Sequence, residues 1–215
     1  LLARGPRKRF SAEMVRDNAL AVSSLLVKKE GGKSTYPYPP EGLWDEISNK
    51  VWRYKYLQKP SETLYRRSLY TVWKRTSPPP SMMIFDAAER SVCTVNRRTT
   101  STPLQALVLL NDPQIIEASR VLAEIALSEF ADEGSQLAFV FQSLLARKPD
   151  NIELSILKSF YNDQWKKYKQ RKSDAERFVN IGAKQVPLHL EPAQLAAMTL
   201  VVQSVLNSSE GYTRY

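Results

Sequence analysis

The segment Thr102–Phe130, TPLQALVLLNDPQIIEASRVLAEIALSEF, decides how the rest of the chain is read. Thr102 stands as an N-cap, Pro103 at the first helical position and Gln105 three residues after the cap, the pattern of a capping box. Leu104, Leu107, Val108 and Leu110 then form a short helix that is apolar nearly all round, so its burial is expected. Asn111-Asp112-Pro113 breaks it, and Asp112 with Pro113 behind it starts a second helix. In that helix Ile115, Ile116, Val121, Leu122 and Ile125 are expected inward, with Glu117, Arg120 and Glu124 outward.

Working outward, the same period recurs. Ser11 to Val27 places Met14, Val15, Ala19, Val22, Leu25 and Leu26 on one side, with Arg16 and Asp17 opposite; Ser11 is its N-cap, and Gly31-Gly32 stop it. A long helix is expected from Ser61 to about Arg75, ended by Pro78–Pro80. Ser135–Arg147 forms another, and the next begins at Asp150 with Glu153 completing a capping box. Ser173 and Glu176 repeat that cap, and Glu191–Ser208 makes a final buried helix. Pro37, Pro39 and Pro40 impose an extended path, with a short helix expected at Glu41 to Ser48. No sustained strand alternation and no internal repeat are present. The fold class is therefore all-α, a multi-helix bundle-like domain with long ordered proline-rich loops. One helical domain is expected over 1–215, divisible into a loop-rich part, 1–100, and a compact part, 101–215.

Composition narrows the function classes. Seven glycines against thirteen prolines disfavour glycine-rich phosphate loops and hairpin-rich β folds. One cysteine, Cys93, and one histidine, His189, leave no internal disulfide and too few ligands for a zinc site, so no metal or cofactor is expected in this piece. No segment reaches the roughly 20 apolar residues of a membrane span. The net charge of +9 is spread over three basic clusters, which are expected to be solvated faces, not a nucleic-acid surface. The chain opens without methionine and reads as a fragment of a longer protein.

Two places carry candidate function. The first is the junction of the FDAAER loop with NRRTTST. Asp86, Glu89, Arg90, Arg97, Arg98 and Thr100 form a candidate polar or anion site, with Arg97, Arg98 and the N–H groups at Thr102 turned to a phosphate, sulfate or carboxylate. Alternatively, Gln105 and Thr102 consume those donors in their own capping box. Asp86, Glu89, Arg90 and Arg98 then form a carboxylate–guanidinium network that orders the loop, or the two carboxylates serve acid–base chemistry. The second is a candidate aromatic surface of Tyr36, Tyr38, Trp44 and Trp52, with Tyr54 and Tyr56 nearby, able to stack on sugar rings or to pin the proline-rich loop. Cys93 is expected to be a packing residue, and His189 a loop residue.

Several stretches together carry a resemblance: RGPRKRFSAEMVRD, PYPPEGLW, YRRSLYTVWKRTSPPPSMMIFDA, RTTSTPLQALVLLNDP and LAAMTLVVQSVLNSSE. They resemble the planctomycete-type C-terminal domain of unknown function called PSD-one. Departures are small: Ala88 stands where a proline is usual, Ser91 where a glutamate is, and Ser208-Ser209 replace a more apolar and acidic pair. The resemblance implies an exported parent, periplasmic or extracellular, whose upstream domains include cytochrome-c-like modules that hold the haem. It implies no known reaction. The expected role is a structural or interaction module whose partners are the upstream domains of the same chain. The alternatives are an enzyme acting on carbohydrate or sulfated polysaccharide, and a docking module for a redox partner.

Overall fold

The computed structural model describes residues 7–36, 62–73 and 78–214, and within them eight α-helices dominate. They are α1 (Ala12–Val22), α2 (Pro80–Ile84), α3 (Pro103–Asn111), α4 (Pro113–Glu129), α5 (Glu133–Leu145), α6 (Asn151–Gln170), α7 (Lys172–Val179) and α8 (Pro192–Leu206). A two-residue ribbon pairs β1 (Lys8–Arg9) antiparallel with β2 (Thr213–Arg214), joining the two ends of the described chain. The fold is all-α and bundle-like. The helix expected at Glu41 to Ser48 lies outside the described residues, as do Tyr38, Trp44, Trp52, Tyr54 and Tyr56.

Helices α4 and α8 form the centre. Leu195, Ala196, Ala197, Met198, Val201 and Val202 of α8 are buried, and they belong to one apolar cluster with Val121, Leu122 and Ala126 of α4 and Leu137 and Val140 of α5. The small side chains of α8 let its neighbours approach closely, and the cluster reaches back to Val15 and Ala19 of α1. The bend between α3 and α4 shows how main-chain chemistry ties these helices. Pro113 has no N–H, so the Leu109 carbonyl has no partner one turn on. Gln203, buried on α8, supplies its side-chain amide instead, at 3.5 Å to the Leu109 carbonyl and 3.1 Å to that of Leu110. Asp112 caps α4 by accepting the N–H groups of Gln114 at 2.9 Å and Ile115 at 3.3 Å.

Five local expectations are corrected. The helix α1 ends at Val22, not Val27, because Ser24 adopts φ 58° and the N–H groups of Leu25 and Leu26 both turn back to the Leu20 carbonyl. Arg16 does not face solvent. It is buried and donates from Nε to Gln114 at 2.5 Å, from Nη1 to the Arg66 carbonyl at 2.8 Å, and from Nη2 to the Leu64 carbonyl at 2.8 Å. Those bonds explain the third correction: the long helix expected from Ser61 is replaced by two 3₁₀ turns, Glu62–Tyr65 and Ser68–Tyr70, with extended bridges Val27–Arg66 and Thr35–Thr71. Its carbonyls are satisfied by a buried arginine and by neighbouring strands, so tertiary pairing overrides helical propensity. Ser173 does not cap α7, which begins one residue earlier at Lys172, directly after the end of α6.

The fifth correction concerns α4. Glu117, Arg120 and Glu124, expected outward, are all buried. Glu117 accepts the N–H groups of Ala183 and Lys184, each at 2.7 Å, and the Tyr65 hydroxyl at 2.8 Å. Arg120 pairs with Glu124 one turn on and donates to the Lys184 carbonyl at 2.7 Å. The loop after α7 thus closes over α4 and pairs its charges. Gly182 makes this closure sterically feasible: its φ is 113°, and a Cβ there would sit 2.6 Å from the Glu117 carboxyl carbon.

Candidate functional site

The six candidate residues around the FDAAER junction fall into three groups. Asp86 ends the turn after α2 in the left-handed region, φ 58°, which a short polar side chain tolerates better than most. That turn aims its carboxylate at the far end of the loop. Its oxygens accept the Thr100 N–H at 2.8 Å, the Thr100 hydroxyl at 2.9 and 3.0 Å, and Arg9 Nη2 at 2.7 Å. Arg9 also donates to the Thr100 carbonyl and, at 3.2 Å, to the Phe85 carbonyl, with its guanidinium over the Phe85 ring. Gln105 extends the network, donating to the Ile84 carbonyl at 2.9 Å and to the Thr100 hydroxyl at 3.1 Å. Partial burial pulls the Asp86 carboxyl upward, but the Thr100 N–H, the Thr100 hydroxyl and Arg9 outweigh it and hold Asp86 below its ordinary value.

The second group is Arg97, whose Nη1 reaches both oxygens of Glu13 on α1, at 3.0 and 2.8 Å. Burial raises Glu13, while its backbone bond and Arg97 lower it further, and lowering wins. The third is Glu89 and Arg90, which clamp Trp73: the indole N–H donates to the Glu89 carbonyl at 2.9 Å, and the Arg90 guanidinium lies 4.7 Å above the ring. Arg98 is exposed and has no side-chain partner among the described residues.

The structure therefore places these residues in three separate groups and does not bring them together as one converging cluster or as an Asp86–Glu89–Arg90–Arg98 network. The physical reason is separation: Asp86 finds Arg9 from β1, Arg97 finds Glu13 from α1 and Arg90 finds Trp73 from the segment before α2, while Arg98 stays in solvent. Gln105 is buried and its carbonyl oxygen accepts the Thr102 N–H at 3.4 Å, so the start of α3 uses its own donors. Sequence reasoning missed Arg9 and Glu13, which sit 77 and 84 positions away from Asp86 and Arg97. The one local signal was their charge, shared with many other residues.

These three anchors hold an unusual surface. Every residue from 89 to 104 is exposed, including Val92, Cys93 and Val95. Cys93 is thus not a packing residue, since the loop stands off the core at that point. Helix α3 follows, and it is not buried all round. Only Gln105 and Leu109 are buried, whereas Leu104, Leu107 and Leu110 remain 58%, 53% and 38% exposed. Four-residue spacing puts Gln105 and Leu109 on the stripe that meets the body, and the three leucines on the stripe pointing away. On the inner side of the same helix, a recess of about 30 Å³ is lined by Arg16, Ser81, Phe85, Asp112 and Gln114. That volume holds about one water molecule, far from the several hundred Å³ of a ligand pocket. Burial keeps the Asp112 carboxyl beside it above its ordinary value, against the opposing pull of its capping bonds.

Of the aromatic candidates Tyr36 is described, and its ring is about half exposed. His189 is exposed, with its Nε2 3.5 Å from the Ser128 hydroxyl. No helix among the described residues is long and apolar enough to cross a membrane.

Residues 1–161 match the model of PSD1, described as a protein of unknown function (DUF1553). The chain belongs to the PSD1 family. Comparisons with curated proteins and with solved structures gave no match. The matched span takes in all three anchors and the α3 leucine stripe, and it ends inside α6. In this PSD1 chain α7 and α8 follow the matched span, although α8 fills the core that the matched helices enclose.

Proposed function

We propose that this PSD1 chain is a non-catalytic helical module that docks onto the preceding domains of a larger exported protein associated with cytochrome-c-like domains. The observation that carries this reading is the leucine stripe Leu104-Leu107-Leu110, exposed on α3 directly after an ordered, solvent-facing segment. Three leucines at this exposure on one face are costly to leave in water and mark an interaction surface. The neighbouring charges support docking over chemistry. The Asp86 carboxylate is engaged by an arginine, a hydroxyl and an N–H, and is held in its ionised form, which suits a lock and not an acid–base catalyst. The lock presents α3 in one orientation. Haem belongs, on this reading, to the upstream domains.

Hydrogen exchange tests it. Amides in 89–111 are expected to exchange at least tenfold more slowly in the full-length parent than in the 215-residue chain, and Leu107→Glu is expected to abolish that difference. Equal exchange in parent and fragment rejects the docking reading.

A further inference from the structure

The strand β1 is two residues long, yet two distant parts of the fold meet on it. Its backbone pairs with β2 in the register Lys8–Arg214 and Arg9–Thr213, and the Phe10 N–H donates to the Tyr212 carbonyl at 2.8 Å. Its Arg9 side chain straddles the exposed loop. It donates to the Phe85 carbonyl at 3.2 Å and to Asp86 at 2.7 Å on one side, and to the Thr100 carbonyl on the other. A ribbon this short has little stability of its own. Its β2 side is fixed to the body: Glu210 accepts from Arg147 at 2.7 and 3.2 Å, the Ser208 hydroxyl accepts the Gly211 N–H at 3.3 Å, and a side chain at Gly211 would collide with the Leu206 carbonyl. On the β1 side Ser11 already caps α1, so the piece that can leave ends at Phe10. The closed arrangement also carries a cost, because Arg9 Nε is buried with no hydrogen-bond partner among the described residues.

We infer that β1 is a latch: when it leaves β2 it withdraws Arg9, and loop 87–100 and the start of α3 are released in the same opening while the helical core stays folded. Three acceptors on two segments fix the guanidinium in place, so it cannot stay behind when its strand moves away. Its bond to Asp86 is charge-assisted and partly buried, the strong kind. What holds the loop closed without Arg9 is weaker. The Thr100 N–H and hydroxyl bonds to Asp86 are exposed and compete with water. The Arg97–Glu13 pair and the Trp73–Glu89 bond, which tether the middle of the loop, are exposed as well. The release reaches α3 through Gln105, which bonds the Thr100 hydroxyl at 3.1 Å and the Ile84 carbonyl at 2.9 Å. This opening belongs to the chain alone and stands whether or not α3 docks.

Single-amide hydrogen exchange of the full 215-residue chain tests the latch. In dilute urea the Phe10 and Thr100 amides are expected to follow one opening curve, well below that of Val201 and Val202 in α8. The Phe10–Tyr212 bond makes Lys8–Arg214 the next hydrogen-bonded pair of the ladder, so proline at the exposed position 8 removes a ladder donor. Lys8→Pro is expected to speed exchange at both Phe10 and Thr100 at least tenfold and to leave α8 within twofold, whereas Lys8→Gln leaves all of them within twofold. Adding Lys8→Pro to Arg9→Met is expected to speed Phe10 further but to leave Thr100 within twofold of Arg9→Met alone, because the coupling passes through that side chain. Separate urea curves for Phe10 and Thr100 in the unaltered chain overturn the latch. So does an unchanged Phe10 or Thr100 amide in Lys8→Pro, or a Thr100 response to Lys8→Pro that persists in Arg9→Met. Faster exchange throughout α8 in Lys8→Pro also overturns it, since the opening would then be global.

Discussion

Asp86 is the residue on which the exposed loop depends. It holds a left-handed backbone conformation and accepts bonds from Thr100, at the far end of the 87–100 segment, and from Arg9 of β1. Replacing it with alanine removes every one of these bonds and leaves the Arg9 guanidinium, itself 9% exposed, without its counter-charge. Truncating one partner of a largely buried charged bond costs about 2–3 kcal/mol, the stranded charge included. We expect Asp86→Ala to lower stability to denaturant by that amount and to speed amide exchange in 87–100, while Glu89→Ala, at an exposed position, changes stability by under about 0.5 kcal/mol. Equal effects of the two substitutions would refute the lock. Of the two acids, sequence singled out both and could not rank them. Asp86 differs from Glu89 through Thr100, 14 positions on, and Arg9, 77 positions earlier, and no local spacing encodes either pairing.

At the scale of helices, two glutamates have opposite titration behaviour because their helices sit differently. Glu124 lies on the central α4, where burial lifts its carboxyl above the ordinary 4.5 despite the attraction of Arg120. Its protonated form is favoured by folding, so its contribution is present below pH 4.5 and lost as pH rises through the folded value. Glu153 caps the exposed start of α6. The Arg147 side chain and the Asp150 N–H hold it down at about 2, so its contribution is present above pH 4.5 and lost as pH falls toward 2. Thermal unfolding between pH 2 and pH 8 checks both. Glu153→Gln is expected to flatten the loss of stability between pH 4.5 and 2, and Glu124→Gln to flatten the decline between pH 4.5 and neutrality. An acid limb unchanged by Glu153→Gln would contradict the cap. The Asp150–Glu153 box was legible because a cap is local, three residues wide. The burial of Glu117, Arg120 and Glu124 was not, because α4 is covered on its polar side by the loop that carries Gly182 and Lys184, more than 60 positions later.

For the whole molecule, the family match and the core have different extents. The match ends at residue 161, yet α8 supplies Leu195, Met198, Val201 and Val202 to the cluster and Gln203 to the α3–α4 bend. A chain cut after Tyr161 exposes the apolar faces of α4 and α6 that α8 covers, a loss of several large buried side chains at about 1.5–3 kcal/mol each. That sum exceeds the net stability of an ordinary domain, so the 1–161 fragment is expected to show no cooperative unfolding transition where the 215-residue chain shows one. A cooperative transition in the short fragment would place the folding unit within the matched span. By itself, the sequence determined the helical class, the Ser11, Asp112 and Asp150 caps, the proline-initiated starts of α3 and α4, and the burial of the last helix. All of these follow from contacts a few residues apart or from unbroken apolar period. Only the tertiary structure decided that α3 turns three leucines to solvent, that the residues after Ser61 abandon a helix for the carbonyl-seeking Arg16, and that Asp86 finds Arg9. Each depends on which distant element arrives as neighbour, and a buried charge or an exposed leucine is defined by that neighbour, not by its own place in the chain.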